Sequence, residues 1–242
     1  MLNESGNRDY DRSVYKEAVS ILNYYHGYAL ENGVDDSFIP ERYLDQSVDV
    51  SEIGSRRFSV EEMRNLNNMN FYDFAHARHS FRYYRDIPLK RADIENAVRL
   101  AQTAPSACNR QSVKVYCINE KEKSAKILKI QEGANGFEGG NSVFIVTSDI
   151  ADYTYQKEYS AAYVDGALFI MNLLYSLNYY NIASCPLMFD DCELYGKQVR
   201  EIIDIPQNEI IVGIVSAGYY EDGDMVAAYS KRKDLSEVLI MD

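Results

Sequence analysis

The sequence contains no tryptophan, three histidines and four cysteines among its 242 residues. The cysteines show no C-x-x-C spacing and the histidines no H-E-x-x-H motif, so we expect neither a metal site nor a disulfide framework. No uninterrupted apolar run reaches the ~18–20 residues that span a bilayer. The polar start of the chain also lacks the apolar segment of a secretion signal. These absences predict a cytoplasmic protein with reduced thiols and no membrane partner.

Positive charge is scarce as well. Lys and Arg number 25 against 37 Asp and Glu, which gives a formal net charge of -12. A protein that binds the nucleic-acid backbone needs a basic face, so we expect no nucleic-acid partner. A small basic pocket for a single phosphate is still compatible with this charge.

The hydrophobic patterning predicts helices and strands in mixed order. The predicted helices cover residues 14–32, 59–69, 89–103, 121–129, 160–177 and 190–203, and the predicted strands cover 113–119, 142–148, 182–188, 210–220 and the tail 235–241. The order lacks regular β-α-β alternation and no G-x-G-x-x-G opens a helix, which excludes a Rossmann domain. We therefore predict an α+β fold.

A cationic segment, R-H-S-F-R at residues 78–82, precedes the predicted helix 89–103. Two arginines four residues apart, with a serine between them, can bind a phosphate through charge-assisted hydrogen bonds. The same spacing also fits a solvated helix face, and the residues alone leave both interpretations open.

Three further segments combine small, polar and cationic residues. The segment A-P-S-A-C-N-R-Q at 104–111 offers exposed backbone groups to a flat heterocycle, or else simply ends the preceding helix. The segment C-P-L-M-F at 185–189 follows a predicted strand. The segment S-K-R-K at 230–233 is a cationic cluster that could equally be a solvated linker.

The order and spacing of the four segments together resemble the FMN-dependent nitroreductase family. The long segment D-G-A-L-F-I-M-N-L-L-Y-S-L-N-Y-Y-N-I-A-S-C-P-L and the later I-I-V-G-I-V-S-A-G-Y with K-R-K-D-L-S-E-V-L-I carry the same resemblance. It covers residues 71–242, as an FMN-binding domain. Residues 1–70 resemble the helical N-terminal extension of nitroreductase-like proteins.

The resemblance implies a nitroreductase fold, with a central mixed or antiparallel sheet flanked by helices. It also implies a homodimer with two flavins at its interface and an exchanged C-terminal arm. By similarity, one group of residues would hold the phosphate, ribityl chain and pyrimidine edge of FMN: Arg78, His79, Ser80 and Arg82, with Arg232 joining Arg78 at the phosphate.

The other site residues also follow from the resemblance. The partner subunit would cover one face and edge of the isoalloxazine with its residues Pro105, Ser106, Ala107, Asn109 and Gln111. Flavin N5 would lie beside Cys185, Pro186, Leu187 and Met188, where a backbone N–H is the donor. Gln131 and Asn135 would reach the flavin ring or the ribityl chain from below. Phe189 stands where many relatives have glycine, and its side chain would crowd the substrate side.

The implied activity is electron transfer from NAD(P)H through FMN to a small flat acceptor such as a nitroaromatic or a quinone. Because the flavin performs the redox chemistry, no catalytic side chain is expected. Two alternatives remain open: a specialised flavoenzyme that acts on one metabolite, and a flavin-binding sensor or assembly protein without turnover.

Overall fold

The computed structural model describes residues 12–44, 50, 53–64, 68–134, 136–137, 142–153 and 158–241. Asn135 and part of the predicted helix 59–69 lie outside these residues. The chain divides into two compact units, one of Arg57–Ala227 and one of Met1–Arg56 with Ala228–Asp242. The domain boundary expected near residue 70 stays a prediction.

The larger unit is built around a four-stranded antiparallel sheet. Its strands are β2 (Val113–Ile118), β3 (Ser142–Asp149), β4 (Ile182–Leu187) and β5 (Glu209–Tyr219), in the order β2-β3-β5-β4. All three pairings are antiparallel, which agrees with the exclusion of a Rossmann domain. Two short strands, β1 (Ser55–Phe58) and β6 (Met225–Ala228), form a second sheet that the sequence did not predict.

Helices cover both faces of the four-stranded sheet. The helices of the larger unit are α2 (Val60–Arg64), α3 (Phe71–Ala77), α4 (Arg91–Ala101), α5 (Lys121–Gln131), α6 (Tyr159–Tyr179) and α7 (Tyr195–Ile202). Alternate residues of β3 face opposite sides, as the period of a strand requires. Phe144 and Val146 pack with α4 and α6, whereas Val143 and Ile145 pack with α5 and α7. The continuous apolar sequence of β3 follows from this double burial.

The periodic helices are confirmed, with differences at their ends. The predicted apolar stripe of α4 is buried at Ala97 and Ala101. Ser59 caps α2 in a capping box, because its Oγ accepts from the Glu62 N–H while the Glu62 carboxylate accepts from the Ser59 N–H. The helix expected from residue 190 begins only at Tyr195, and α3, which Asn70 caps, was not predicted.

The long helix α6 is buried on one side only. Leu173 and Leu177 are fully buried against the sheet, whereas Tyr163, Val164 and Leu168 are exposed. By length and composition the stretch Ser160–Tyr179 could also cross a membrane, a test that core helices of soluble proteins pass. The search for uninterrupted apolar runs in the sequence therefore missed this candidate span.

The smaller unit contains α1 (Arg12–Asn32) and, near the C-terminus, α8 (Leu235–Val238). Within it, the Asn23 side chain donates to the Tyr43 carbonyl, and Ile39 is buried. The prediction of a tail strand at 235–241 was wrong at its start, where the chain forms a helical turn closed by the Leu239 N–H and the Leu235 carbonyl. Among the described residues no strand pairs with the tail, so local hydrogen bonds satisfy its backbone.

A buried carboxylate connects three strands of the larger sheet. Glu209 at the start of β5 has no exposed surface and accepts from Lys114 Nζ at 2.5 Å, Thr147 Oγ1 at 2.7 Å and Tyr116 Oη at 3.0 Å. Burial alone would raise the pKa of Glu209. The hydrogen bonds from these three side chains outweigh it, and the pKa lies below its usual value of 4.5.

We predict that Glu209→Gln lowers the free energy of unfolding by about 1–3 kcal/mol at pH 7, because the ionised acceptor is lost. A lowered pKa stabilises the fold above pH ~4.5, and the contribution disappears as the pH falls through the folded-state value. The difference between variant and wild type should therefore shrink in acid. Urea unfolding at pH 7 and pH 4 measures both effects.

The matched control is Glu95→Gln, which removes an exposed carboxylate on α4 that pairs with Arg91. Its urea midpoint should match that of the wild type at both pH values. A Glu209→Gln protein as stable as the wild type at pH 7 would contradict the structural role of this carboxylate.

Candidate functional site

The cationic segment 78–82 is extended in the structure. Arg78 follows the last residue of α3 with φ −70° and ψ 118°. Ser80 forms a parallel bridge with Ser184 of β4, and the Phe81 N–H donates to the Ser184 carbonyl at 3.0 Å. The interpretation of R-H-S-F-R as a solvated helix face is therefore wrong. The segment lies along β4 instead.

This placement brings the first and third sequence segments together around Cys185. The Cys185 thiol is buried, and burial raises its pKa. Arg82, a hydrogen bond with Ser80, and Arg78 each oppose that shift, so all three groups act on the sulfur atom. Two guanidinium groups and a hydroxyl thus converge at one end of β4. The His79 ring packs against Phe58, with ring centroids 4.3 Å apart.

A buried tyrosine fixes the segment to the sheet. The single hydrogen of the Tyr84 hydroxyl is shared between the carbonyls of Phe81, at 2.7 Å, and Ser216 of β5, at 3.1 Å. Tyr84 also lies directly over Gly218, where an added Cβ would come within 2.5 Å of the Tyr84 Cβ. The glycine of the S-A-G-Y segment therefore permits the close approach that holds residues 81–84 in place.

The third segment continues past the end of β4. Pro186 is tolerated within β4 because this strand forms an edge of the sheet. Met188 is 90% exposed, and its carbonyl accepts from Gln131 Nε2 at 2.8 Å. Gln131 therefore joins the site as a support for the Met188 backbone. Phe189 is half-buried and packs against the apolar cluster between α5 and α7, and the expectation that it crowds the substrate side stays a prediction.

The second segment forms a loop with an unusual backbone. A single 3-10 turn covers Ala107–Asn109. Cys108, Asn109 and Gln111 adopt positive φ values of 52°, 53° and 55°, a region that side chains disfavour. Such conformations persist only where the surrounding structure enforces them, and they are common at functional sites. We refer to residues 106–111 as the left-handed loop.

The left-handed loop lies far from Arg78 within the same chain. The loop is followed by Val113, the first residue of the edge strand β2. Val113 pairs with Ser148 of β3, and Ser148 pairs with Ile210 of β5. Ser184 of the opposite edge strand pairs with Ala217. The two positions are thus separated by three strand spacings, ~14 Å, and by the length of β5 from residue 210 to 217, ~23 Å.

Arg232 lies in the other compact unit. It is exposed, and its Nη1 donates to the Ser230 carbonyl at 2.7 Å. The structure therefore brings together residues 78–82, 185–188 and Gln131, and it places the left-handed loop at the opposite edge of the sheet. Within the described part of the chain, no group of three His, Cys, Asp or Glu side chains could hold a metal ion.

Several residues of the site region were not predicted from the sequence. Tyr84, Tyr153 and Asp165 make buried hydrogen bonds beside the two segments. The sequence could have indicated Asp165, because it is the only charged residue in the sequence of α6. A charge in an otherwise apolar helix is buried only with partners. Tyr84 carried no such signal among 21 tyrosines.

Comparison with known proteins agrees with this geometry. Residues 75–138 match the family model described as the nitroreductase family. A relative from Archaeoglobus fulgidus that carries the name NADH dehydrogenase/NAD(P)H nitroreductase is 27% identical over 152 residues, which are 61% of this chain and 83% of the relative. A CLA biosynthesis enone reductase from Lactiplantibacillus plantarum is 28% identical over 151 residues, which are 57% of this chain and 70% of the relative.

Residues 75–138 of this chain are therefore similar to the nitroreductase family. Solved structures show the nitroreductase fold: a nitroreductase family protein from Streptococcus pneumoniae superposes with a TM-score of 0.60 and 20% identity, covering 72% of this chain and 100% of its own. The matched segment contains the cationic segment, the left-handed loop and Gln131. Helix α1 precedes the residues that the family model matches.

We predict that Gly218→Ala lowers the free energy of unfolding by about 1–3 kcal/mol, because the added methyl group overlaps Tyr84 near its backbone. Urea denaturation measures this loss. Gly223→Ala is the control, since a Cβ there meets no atom within 4 Å. Equal stability of both variants would show that the Tyr84 contact leaves room for a methyl group at position 218.

Proposed function

We propose that this protein is an FMN-dependent oxidoreductase that passes electrons from NAD(P)H to a small flat acceptor. One observation carries the proposal: the bridge between Ser80 and Ser184 lays the cationic segment 78–82 along β4, next to Cys185, and the exposed Met188 follows the end of the same strand. In a chain of net charge -12, such a group of cations and donors favours an anionic ligand.

The donor set fits a flavin mononucleotide. Arg82 is exposed, and no carboxylate of the described residues lies within ion-pair distance of it. Guanidinium and hydroxyl groups are the usual partners of a terminal phosphate. The names of related proteins support the same class, since one solved structure from Clostridium difficile with a TM-score of 0.51 is called an FMN-dependent nitroreductase.

Each residue has an assigned task in this proposal. Arg78, His79 and Ser80 bind the phosphate and ribityl chain. Arg82 places its positive charge at the pyrimidine edge, where it stabilises negative charge. The segment Cys185, Pro186, Leu187 and Met188 lies beside N5, and Gln131 holds the Met188 carbonyl so that the backbone there has a fixed direction.

When bound, FMN supplies the two-electron chemistry between NAD(P)H and the acceptor. The protein's own contribution is to orient the ring, to position charge and to leave one side open. The exposed side chain at the proposed N5 position is Met188, and we propose that it borders the acceptor site. No side chain has to act as a nucleophile or as a general acid.

The proposed site requires two subunits. The left-handed loop and Arg78 lie at opposite edges of one sheet, so we propose that Pro105, Ser106, Ala107, Asn109 and Gln111 reach the flavin from the partner. The exposed apolar face of α6, with Val164, Leu168 and Met171, offers a surface for a second copy. We further propose that the apolar tail from Leu235 to Met241, largely exposed in the single chain, crosses to the partner.

We predict that Arg78→Ala weakens FMN binding about tenfold to a hundredfold, because one charge-assisted phosphate contact is lost. Titration of the apoprotein with FMN, followed by flavin fluorescence, gives the dissociation constant. Arg91→Ala, which removes an exposed arginine of α4, is the charge-matched control and should bind FMN normally.

A protein that cannot be reconstituted with FMN would overturn the proposed function. Stopped-flow mixing of the flavin-loaded protein with NADH and NADPH tests turnover. Bleaching of the flavin absorbance supports the oxidoreductase, whereas a flavin that stays oxidised with both donors favours a binding protein without turnover.

We predict that Leu168→Asp dissociates the dimer and lowers FMN retention, because a charge on the exposed face of α6 would be buried at the interface. Sedimentation at low micromolar concentration measures the assembly. Leu194→Asp, at an exposed leucine before α7, is the control and should stay dimeric. A flavin-loaded monomer of the wild type would contradict the shared site.

A further inference from the structure

A buried carboxylate lies directly beneath the left-handed loop. Asp165 is 3% exposed although it is the only charged residue in the sequence of α6. Its two carboxylate oxygens both accept from the Ala107 N–H, at 3.1 and 3.0 Å. Asp165 therefore connects the long core helix to the start of the loop.

A chain of hydroxyl groups supports this carboxylate. The Tyr153 hydroxyl donates to Asp165 Oδ2 at 2.8 Å and lies 2.7 Å from Ser112 Oγ, which is 3.0 Å from Ser148 Oγ. Since a phenol has a single hydrogen, Ser112 must donate to Tyr153, and Ser148 must then donate to Ser112. All the hydrogens point toward Asp165, so the bonds strengthen one another.

Apolar packing alone does not hold the loop. A cavity of about 120 Å³ lies between the loop and α6, lined by Pro105, Ser106, Gln111, Asp165 and Phe169 among others. Within the loop, the Gln111 N–H donates to Ser106 Oγ at 3.0 Å. The hydrogen bond from Ala107 to Asp165 connects the loop backbone to α6, and the Arg110 side chain adds an ion pair with Glu158 and a contact over the Tyr153 ring.

The free-energy cost of the carboxylate indicates its role. Burying a charge in a core is costly, and an apolar residue of similar volume is often as stable or more stable. Position 165 thus carries a charge where packing alone would favour leucine. The compensation is a fixed conformation at Cys108, Asn109 and Gln111, whose positive φ values need enforcement.

We propose that Asp165 is a positioning residue, which with Tyr153 fixes the left-handed loop in the conformation that contacts the partner's flavin. The inference rests on the proposed function for the identity of the ligand. The preorganisation itself belongs to the apoprotein, because every hydrogen bond that carries it lies within one chain. The loop should therefore be ordered before any flavin binds, which reduces the entropy lost on binding.

Four variants test this. Asp165→Leu keeps the branching of the side chain at Cγ and removes the acceptor, and Asp165→Asn keeps an acceptor for the Ala107 N–H. Tyr153→Phe removes the hydroxyl that donates to Asp165. Tyr116→Phe is the matched control, because it removes a hydroxyl that donates to the other buried carboxylate, Glu209.

Two readouts apply to each variant. Hydrogen exchange of the apoprotein should accelerate about tenfold or more in peptides covering 106–111 for Asp165→Leu, and less for Tyr153→Phe. The FMN dissociation constant should rise about tenfold to a hundredfold in Asp165→Leu and a few-fold in Tyr153→Phe. In Asp165→Asn the exchange rate of residues 106–111 and the FMN dissociation constant should both stay close to the wild-type values. Tyr116→Phe should change neither quantity. If Asp165→Leu does not fold, Tyr153→Phe carries the comparison.

The two proposals fail in different ways. Unchanged loop exchange in Asp165→Leu and Tyr153→Phe overturns the positioning role, whatever the FMN affinity. Equal acceleration in Tyr116→Phe also overturns it, because the effect is then general loss of stability. A wild type that does not bind FMN overturns the proposed function, and the exchange result then decides the positioning role alone.

Discussion

The pairing of β5 with β3 on one side and β4 on the other is the constraint on which the rest of the structure depends. This 11-residue strand sets the register of both neighbours, and thereby the level at which each edge strand begins and ends. Ser184 is held opposite Ala217, and the cationic segment is in turn held by Ser184. The positions of Arg78, Ser80 and Arg82 thus follow from backbone hydrogen bonds of the sheet rather than from their own sequence.

The parts of the fold that the sequence predicts are those with strong periodicity. The stripe of α4, the apolar strands β3 and β5 and the long helix α6 are each determined by the alternation of buried and exposed positions. β1 and β6 have four residues each, too short for a period to show. The tail from Leu235 combines β-prone residues with no neighbouring strand among those described, and local helical hydrogen bonds prevail there.

The candidate site was predicted as segments but not as an arrangement. The residues of 78–82 and 185–188 are far apart in sequence, and only the register of β4 shows that they meet. The packing of Phe189 against an apolar cluster could not be predicted, because the members of that cluster are far from it in the sequence. Asp165 was missed for a different reason, because a lone charge in an apolar helix is a sign of buried partners that the sequence analysis did not use.

The separation of Arg78 from the left-handed loop by the width and length of one sheet has a thermodynamic consequence. If each flavin contacts residues from both subunits, binding of FMN and association of the chains are linked equilibria. FMN then stabilises the dimer by mass action, and dimerisation raises the apparent affinity for FMN by the same factor. The fraction of protein that holds its flavin would therefore depend on the concentration of the protein itself, and dilution alone would release the cofactor.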